Sequence, residues 1–115
     1  MDDRAAGSRP VIVPMPTEID LANADRVGAE LCTAASPGVT IIVADLTATQ
    51  FCDSAGIRTL LRARDRVAAS QAQLRLAVAR DGAVRRALQA IGLQQVLPVY
   101  PTVEAALAGD PPRIG

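Results

Sequence analysis

Residues 39–46 read VTIIVADL, and residues 47–57 continue as TATQFCDSAGI. In the first stretch only Thr40 and Asp45 are polar. Such a near-continuous apolar run is typical of a strand that is covered on both faces of a parallel sheet. We therefore expect this strand at the centre of the sheet, followed by a loop and by an amphipathic helix over residues 54–70.

Alternating strand and helix patterns flank this stretch on both sides. Upstream, Val11–Val13 predicts a short strand, and Pro14 and Pro16 place it at a sheet edge or in a bulge because proline cannot donate a ladder hydrogen bond. Asp20 is expected to cap the first helix. Downstream, the predicted elements are a strand at Leu74–Ala79, a helix at Ala83–Ile91 closed by Gly92, a strand at Val96–Val99 interrupted by Pro98, and a helix at Thr102–Leu107.

Apolar stripes on two of the helices predict the faces that they bury. The stripe of the first helix is Leu21, Ala24, Gly28, Leu31 and Ala35, and that of the second is Ile57, Leu60, Leu61, Val67 and Ala68. The only aromatic residues are Phe51 and Tyr100, so the core must be mainly aliphatic. Phe51 is expected to fill the core beneath the loop.

The alternation of strands and helices implies right-handed crossovers and an α/β fold in which helices cover a sheet. We expect a mixed, mostly parallel sheet of about four to five strands. At 115 residues and 12.0 kDa, the chain has room for one domain with a single core. This domain is expected at residues 10–108, between a flexible N-terminus at residues 1–9 and a flexible tail at residues 109–115.

The charged residues exclude several classes of function. All 12 basic residues are arginine, neither lysine nor histidine occurs, and 12 acidic residues balance the arginines. The chain therefore has no P-loop lysine, no Schiff-base lysine, no histidine general base and no ligands for most zinc sites. The zero net charge gives no support for a nucleic-acid partner. We expect a protein that is not an enzyme and holds no cofactor or metal.

Two further patterns bear on location and redox state. No apolar run approaches the ~20 residues of a membrane-spanning helix, and the first four residues lack the pattern of a signal peptide. We therefore expect a cytoplasmic protein that does not insert into membranes. Cys32 and Cys52 are isolated and are expected to be reduced, small, buried groups, although a redox role for Cys32 or for Cys52 beside the loop stays open.

Functional groups of such sheets gather at the carboxyl ends of the strands. There, Asp45-Leu46-Thr47 and Phe51-Cys52-Asp53-Ser54-Ala55-Gly56-Ile57 closely resemble the D-L-[ST] and F-x-D-S-[STA]-G-[LIV] signature of STAS domains, the family of bacterial anti-sigma factor antagonists. Glu18-Ile19-Asp20 and Gly92-Leu93 are similar to two further family segments. The resemblance spans roughly residues 11–107. The sequence departs from the family pattern at Thr17, where glycine is usual, and its segment for the family's first strand is poorly represented or missing.

The resemblance implies a regulatory switch. In the family, a partner that is both an anti-sigma factor and a serine kinase phosphorylates the serine of the motif, which is Ser54 here. The unphosphorylated protein would bind the anti-sigma factor and so release the sigma factor, and a serine phosphatase would reset the switch. The residues predicted to bind the partner are Asp20, Asp53, Ser54, Gly56, Arg58 and Arg62.

Local chemistry is compatible with this role but leaves alternatives open. A helix start accommodates phosphate well, and Arg58 lies one turn from Ser54. Ser54 alone could instead be a helix cap, and Asp53 could either cap the helix or contact the partner. Arg58, Arg62 and Arg66 form a stripe at a spacing of four that could equally be a solvated helix face.

Two other functions compete with the antagonist. The first is a STAS subunit of another assembly, such as a phospholipid-transport ABC complex or a stress-signalling complex. The second is a small hydrolase that uses Ser54 with Asp53 or Asp45. It fails on chemistry, because no histidine or lysine exists to activate the hydroxyl.

Overall fold

Strands and helices alternate along residues 9–109, the part of the chain that the computed structural model describes. The strands are β1 Arg9–Pro14, β2 Glu18–Ile19, β3 Val39–Leu46, β4 Phe51–Cys52, β5 Gln73–Val78 and β6 Val99–Tyr100. The α-helices are α1 Ala24–Ala34, α2 Ser54–Ala69, α3 Ala83–Ile91 and α4 Val103–Ala108, with a short 3-10 helix at Leu93–Gln95. The predicted flexible ends fall almost wholly outside the described residues and stay predictions.

The main sheet has four strands in the order β1-β3-β5-β6, and each neighbouring pair is parallel. β2 and β4 form a separate parallel pair. This architecture confirms the predicted α/β class, and β3 lies inside the sheet as its apolar sequence predicts. β1 is an edge strand that contains Pro14, with an irregular register next to Pro10, which also agrees with the prediction.

The two faces of β3 pack into two different cores, which explains its near-continuous apolar sequence. Ile42, Ala44 and Leu46 belong to the larger core, together with the inward residues of α1, α2 and α3. Val43 points into a smaller core with Ala77, Tyr100 and Ala106, beneath α4. The sheet is therefore covered on both sides by helices.

The first helix begins at Ala24 and not directly after Asp20, so the predicted Asp20 cap is wrong. Asn23 occupies the N-cap position, and residues 21–23 form a turn. This turn leaves Leu21 81% exposed, although its spacing predicts a buried position. Val27 is buried instead, one turn after Ala24.

Two further packing predictions and one strand prediction are also wrong. Phe51 is 49% exposed, because alternation along β4 turns Cys52 inward and Phe51 outward. Ala68 is exposed near the end of α2, whereas Ile57, Leu60 and Val67 are buried as expected. The predicted strand at Val96–Leu97 is a turn, since the N–H groups of both residues donate to the Leu93 carbonyl.

No helix within residues 9–109 has the length and apolarity to cross a membrane.

Candidate functional site

The pairing of β2 with β4 brings the two acidic segments of the predicted site together. Ile19 pairs with Cys52, and the Asp53 N–H donates to the Ile19 carbonyl at 3.1 Å. The next residue after Ile19 is Asp20, and the next after Cys52 is Asp53 followed by Ser54. The structure therefore places Asp20 beside the start of α2, as the site prediction requires.

Further hydrogen bonds hold this loop in place. The Gln50 N–H donates to the Thr17 carbonyl at 2.7 Å, and the Thr49 hydroxyl donates to the Pro16 carbonyl at 2.8 Å. At the end of β3, one Asp45 carboxylate oxygen accepts from both the N–H and the hydroxyl of Thr47, at 3.0 and 2.6 Å. Asp45 thus shapes the turn that leads into the site.

Asp53 is the cap of α2. Its backbone is extended, its carboxylate accepts from the Gly56 N–H at 3.0 Å, and its carbonyl accepts from the Ile57 N–H at 3.0 Å. Ser54 is the first helical residue and is exposed. Within residues 9–109 its hydroxyl has no hydrogen-bond partner. The alternative in which Ser54 serves only as the helix cap is therefore wrong.

Gly56 lies buried beneath the site, where a side chain would not fit. A Cβ at this position would lie 2.7 Å from the Cys52 sulfur, 2.8 Å from Ile19 Cγ2 and 3.1 Å from the Ile19 carbonyl oxygen. The glycine lets the first turn of α2 pack directly on the β2–β4 pair. Its predicted contact with a partner stays a prediction, but its burial favours a packing role.

The Cys52 thiol is buried in this contact. Burial, and to a lesser extent the neighbouring Asp53 carboxylate, raise the pKa of Cys52 from 9.0 to about 11. The thiol is therefore neutral near pH 7 and a poor nucleophile. Cys32 is half-buried, and both cysteines are free.

Arg58 and Arg62 are exposed on α2, on the same side as Ser54, and Arg66 continues the row. Among the described residues, none of the three has a carboxylate within 4.0 Å; the salt bridge found on α2 joins Arg64 and Asp65. The stripe borders a groove between α1 and α2. The structure thus brings Asp20, Asp53, Ser54 and Arg58 into one neighbourhood, and Arg62 extends it along the helix.

Leu21 and Phe51 are apolar surface residues beside this site that the sequence prediction places in the core. For Leu21 a signal existed, because Asn23 is as good a helix cap as Asp20 and would leave Leu21 before the helix. For Phe51 the signal was weaker: residues 51–52 are too few to show a strand alternation. In residues 9–109 no three potential metal-ligating side chains cluster.

Comparison with known proteins places the fold and the motif in one family. A STAS domain model matches residues 4–106. The anti-sigma-F factor antagonist RsfA of Mycobacterium tuberculosis is 35% identical over 101 residues, which cover 85% of this chain and 77% of the relative.

Solved structures also share the fold, and two of them are informative here. An anti-sigma factor antagonist from Mycobacterium paratuberculosis superposes with a TM-score of 0.72 at 26% identity, covering 85% of this chain and 82% of the other. A sulfate transporter family protein from Wolinella succinogenes gives 0.68 at 17% identity, covering 87% and 83%. The fold alone therefore does not separate antagonists from transporter domains. With a family model that matches most of its length, this chain belongs to the STAS domain family.

Proposed function

We propose that this protein is an anti-sigma factor antagonist that is switched at Ser54. With a free Ser54 hydroxyl it binds an anti-sigma factor, which then releases its sigma factor. Phosphorylation of Ser54 by the partner kinase ends this binding, and a serine phosphatase restores it. The observation that carries the proposal is the Ser54 hydroxyl itself, which is exposed and, among the described residues, has no hydrogen-bond partner because Asp53 caps the helix instead. The 35% identity to an anti-sigma-F factor antagonist supports the class of partner.

The start of α2 is suited to receive a phosphate without a change of fold. The N–H groups of Ser54 and Ala55 belong to the first turn, where no earlier helical carbonyl is available to them. The positive end of the helix dipole and the Arg58 guanidinium one turn away both favour added negative charge. The phosphoryl group would thus be held at the surface and presented to the partner.

Phosphorylation weakens binding because the partner would have to cover a group with a charge of about −1.5 to −2. Arg58 offsets only part of this charge, and a charge left without a full partner in an interface typically costs ~2 to 5 kcal/mol. This corresponds to a loss of roughly 30-fold to several-thousand-fold in affinity. A small modification at one exposed hydroxyl is therefore enough to separate the two proteins.

The residues around Ser54 have different proposed roles in binding the partner. Asp20 and Asp53 flank the hydroxyl and are proposed to contact the partner, in addition to the capping role of Asp53. Arg58 and Arg62 extend the contact along α2. The protein acts by binding and not by catalysis, since Ser54 has neither a histidine nor a lysine to activate it.

The test is calorimetric titration of the purified anti-sigma factor of the source organism. We expect wild type and Ser54→Ala to bind alike, and the phosphorylated wild type to lose at least about 30-fold in affinity. Ser54→Glu, with one charge, should weaken binding less than phosphate does. Only the wild type should respond to the kinase and ATP.

Equal affinities for Ser54→Ala, Ser54→Glu and the phosphorylated wild type would place the switch elsewhere. Capture from the native cytoplasm tests the partner class independently. If wild type and Ser54→Ala recovered only transporter subunits, the antagonist proposal would be wrong.

A further inference from the structure

A groove runs between α1 and α2 on the outer surface of the molecule. One end is bordered by Leu21 and Ala55, the middle by Asp25 and Arg62, and the far end by Cys32 and Arg66. Because Ala55 follows Ser54, the groove opens directly at the proposed switch. We call this surface the arginine groove.

The floor of the arginine groove is fixed by a close contact of the two helices. The Thr59 hydroxyl is buried and donates to the Ala24 carbonyl at 3.2 Å. Gly28 also lies at this crossing, where an added Cβ would be in ordinary van der Waals contact with Thr59 Cγ2, at 3.4 Å. The groove is therefore part of the folded structure and does not require a rearrangement to form.

The charge of the groove is unbalanced. Arg58, Arg62 and Arg66 stand along the α2 wall, whereas the carboxylate that lines the groove is that of Asp25 on α1. Within residues 9–109 no carboxylate lies within 4.0 Å of these guanidinium groups. The wall is thus a row of three positive charges one helical turn apart, matched by one negative charge.

The end of the groove near Ser54 includes a large exposed apolar side chain. Leu21 is 81% exposed, and it borders the groove together with Ala24 and Ala55. The groove therefore offers an apolar contact at Leu21 beside three arginines that have no carboxylate within 4.0 Å among the described residues, so that Leu21 could anchor a partner and the charges could orient it.

We propose that the arginine groove binds an acidic segment of the anti-sigma factor. An apolar residue of that segment covers Leu21, and at least two carboxylates pair with Arg62 and Arg66. This inference rests on the proposed function, since it names the part of the partner that the same surface receives. Charge complementarity and continuity with Ser54 select this occupant.

The groove also adds a second reason for the effect of phosphorylation. A phosphate on Ser54 lies one turn from Arg58 and can pair with it. It then neutralises the first arginine of the row and repels the carboxylates of the incoming segment. Phosphorylation would therefore weaken binding at the groove as well as at the hydroxyl that it modifies.

The experiment is titration of the purified anti-sigma factor with full-length wild type, Arg62→Glu, Arg62→Ala and the control Arg9→Glu. Arg9 is exposed at the amino end of β1, whereas the segment that leads to Ser54 follows the carboxyl end of the neighbouring parallel strand β3. We expect Arg62→Glu to weaken binding at least about 30-fold, Arg62→Ala to weaken it less, and Arg9→Glu to change it less than about threefold. Circular dichroism and thermal melting confirm that each variant is folded.

Salt and compensating charges sharpen the test. The affinity of the wild type should fall more steeply with salt than that of Arg62→Ala. In a charge-reversal scan of the partner, one Asp→Arg or Glu→Arg substitution should restore binding to Arg62→Glu. If Arg62→Glu disturbs the fold, the affinity of Arg62→Ala is measured instead, and weaker binding than that of the wild type is still expected.

Several outcomes would overturn the groove proposal while the proposed function stands. One is wild-type affinity for Arg62→Glu while phosphorylation of Ser54 still abolishes binding. Equal weakening by Arg62→Glu and Arg9→Glu would indicate a general charge effect, which also contradicts a specific groove. A wild-type dimer that dissociates in Arg62→Glu would assign the groove to a second copy of this chain. By contrast, wild type that binds no anti-sigma factor at all contradicts the proposed function itself.

Discussion

Asp20 and Asp53 occupy matching places in the molecule but perform different structural tasks. Each directly follows a residue of the β2–β4 pair, and each precedes a helix. The Asp53 carboxylate accepts from the Gly56 N–H and caps α2. Among residues 9–109, the Asp20 carboxylate accepts only from the Ala22 N–H, at 3.0 Å, on the surface and within the turn that comes before α1.

The difference shows how the site combines a rigid part with an accessible part. The Asp53 side is bound to the helix start and packs on a glycine that has no room for a side chain. The Asp20 side is a surface turn held by Asn23, whose amide accepts from the Asp20 N–H at 2.9 Å and donates to the Glu18 carbonyl at 2.8 Å. Asp53 thus helps to form the site through its bond to the helix start. The Asp20 side chain is less constrained by the fold and is therefore better able to contact a partner.

The largest effect on stability should come from filling the contact beneath Asp53. Gly56→Ala places a methyl group 2.7 Å from the Cys52 sulfur and 2.8 Å from Ile19 Cγ2. Overpacking of this kind typically costs about 1–3 kcal/mol, and here it exceeds the small gain in helix propensity. Urea denaturation followed by circular dichroism measures the free energy of unfolding.

Gly28→Ala is the matched control for this substitution. Position 28 is also helical, but its added Cβ would have ordinary contact distances, the shortest being 3.4 Å to Thr59 Cγ2. We expect this variant to be as stable as the wild type or slightly more stable, because alanine favours a helix by about 1 kcal/mol over glycine. Equal destabilisation by both variants would contradict a special packing requirement at Gly56.

The packing beneath Asp53 should also be visible in the pH dependence of stability. In the unfolded chain Cys52 loses its proton near its ordinary pKa of 9.0, whereas in the folded protein the pKa of Cys52 is about 11. Between these values the folded state holds more protons, so stability is full below pH 9 and falls as the pH rises towards 11. Two pKa units at about 1.4 kcal/mol each limit the loss to about 3 kcal/mol.

Urea denaturation at several pH values between 8 and 10.5 measures this loss, with Cys52→Ala as the control. The variant lacks the thiol, so its free energy of unfolding should decline less over the same range. Parallel pH profiles for the two proteins would show that the Cys52 thiol is not shielded by the contact with α2.

The cap itself should have a smaller effect. Asp53→Ala removes the hydrogen bond to the Gly56 N–H and should cost ~1 kcal/mol, whereas Asp53→Asn keeps a capping oxygen and should cost little. Comparison of the two variants separates the effect of the capping hydrogen bond from the effect of the negative charge of Asp53. If Asp53→Asn is stable but binds the anti-sigma factor weakly, the negative charge of Asp53 contacts the partner. Full stability of Asp53→Ala in urea denaturation would contradict its role as the cap.

Much of the fold and the position of the candidate site follow from local sequence. The apolar run of β3, the start of α2 at Ser54 and the closure of α3 by Gly92 each depend on residues close together in the chain. Gly92 indeed adopts a left-handed conformation, with φ of 79°. The motif around Ser54 predicts both the family, which the STAS domain model confirms, and the candidate site.

The exposed neighbours of Ser54 could not be predicted in the same way. Whether Asp20 or Asn23 starts α1 depends on the pairing of Ile19 with Cys52, a residue far along the chain. The same pairing turns Phe51 to the surface. Local periodicity does not contain information about such a long-range contact. It therefore predicts buried positions for Leu21 and Phe51, although both are exposed.

The smallest effect on stability is expected at Asp20, and it completes the comparison of the two aspartates. Asp20→Ala removes one exposed hydrogen bond to the Ala22 N–H, while the backbone of the turn keeps its bonds from Asn23 and Ala24 to the Asp20 carbonyl. The free energy of unfolding should therefore fall by only ~0.5 kcal/mol or less in urea denaturation. Calorimetric titration of the anti-sigma factor should nevertheless show weaker binding for both Asp20→Ala and Asp20→Asn, because both variants lose the negative charge. Asp20→Asn keeps an oxygen that can accept from the Ala22 N–H, so its weaker binding would reflect the charge alone. A loss of stability as large as that of Asp53→Ala would mean that Asp20 supports α1 as a cap does, and the division between a rigid and an accessible aspartate would then be wrong.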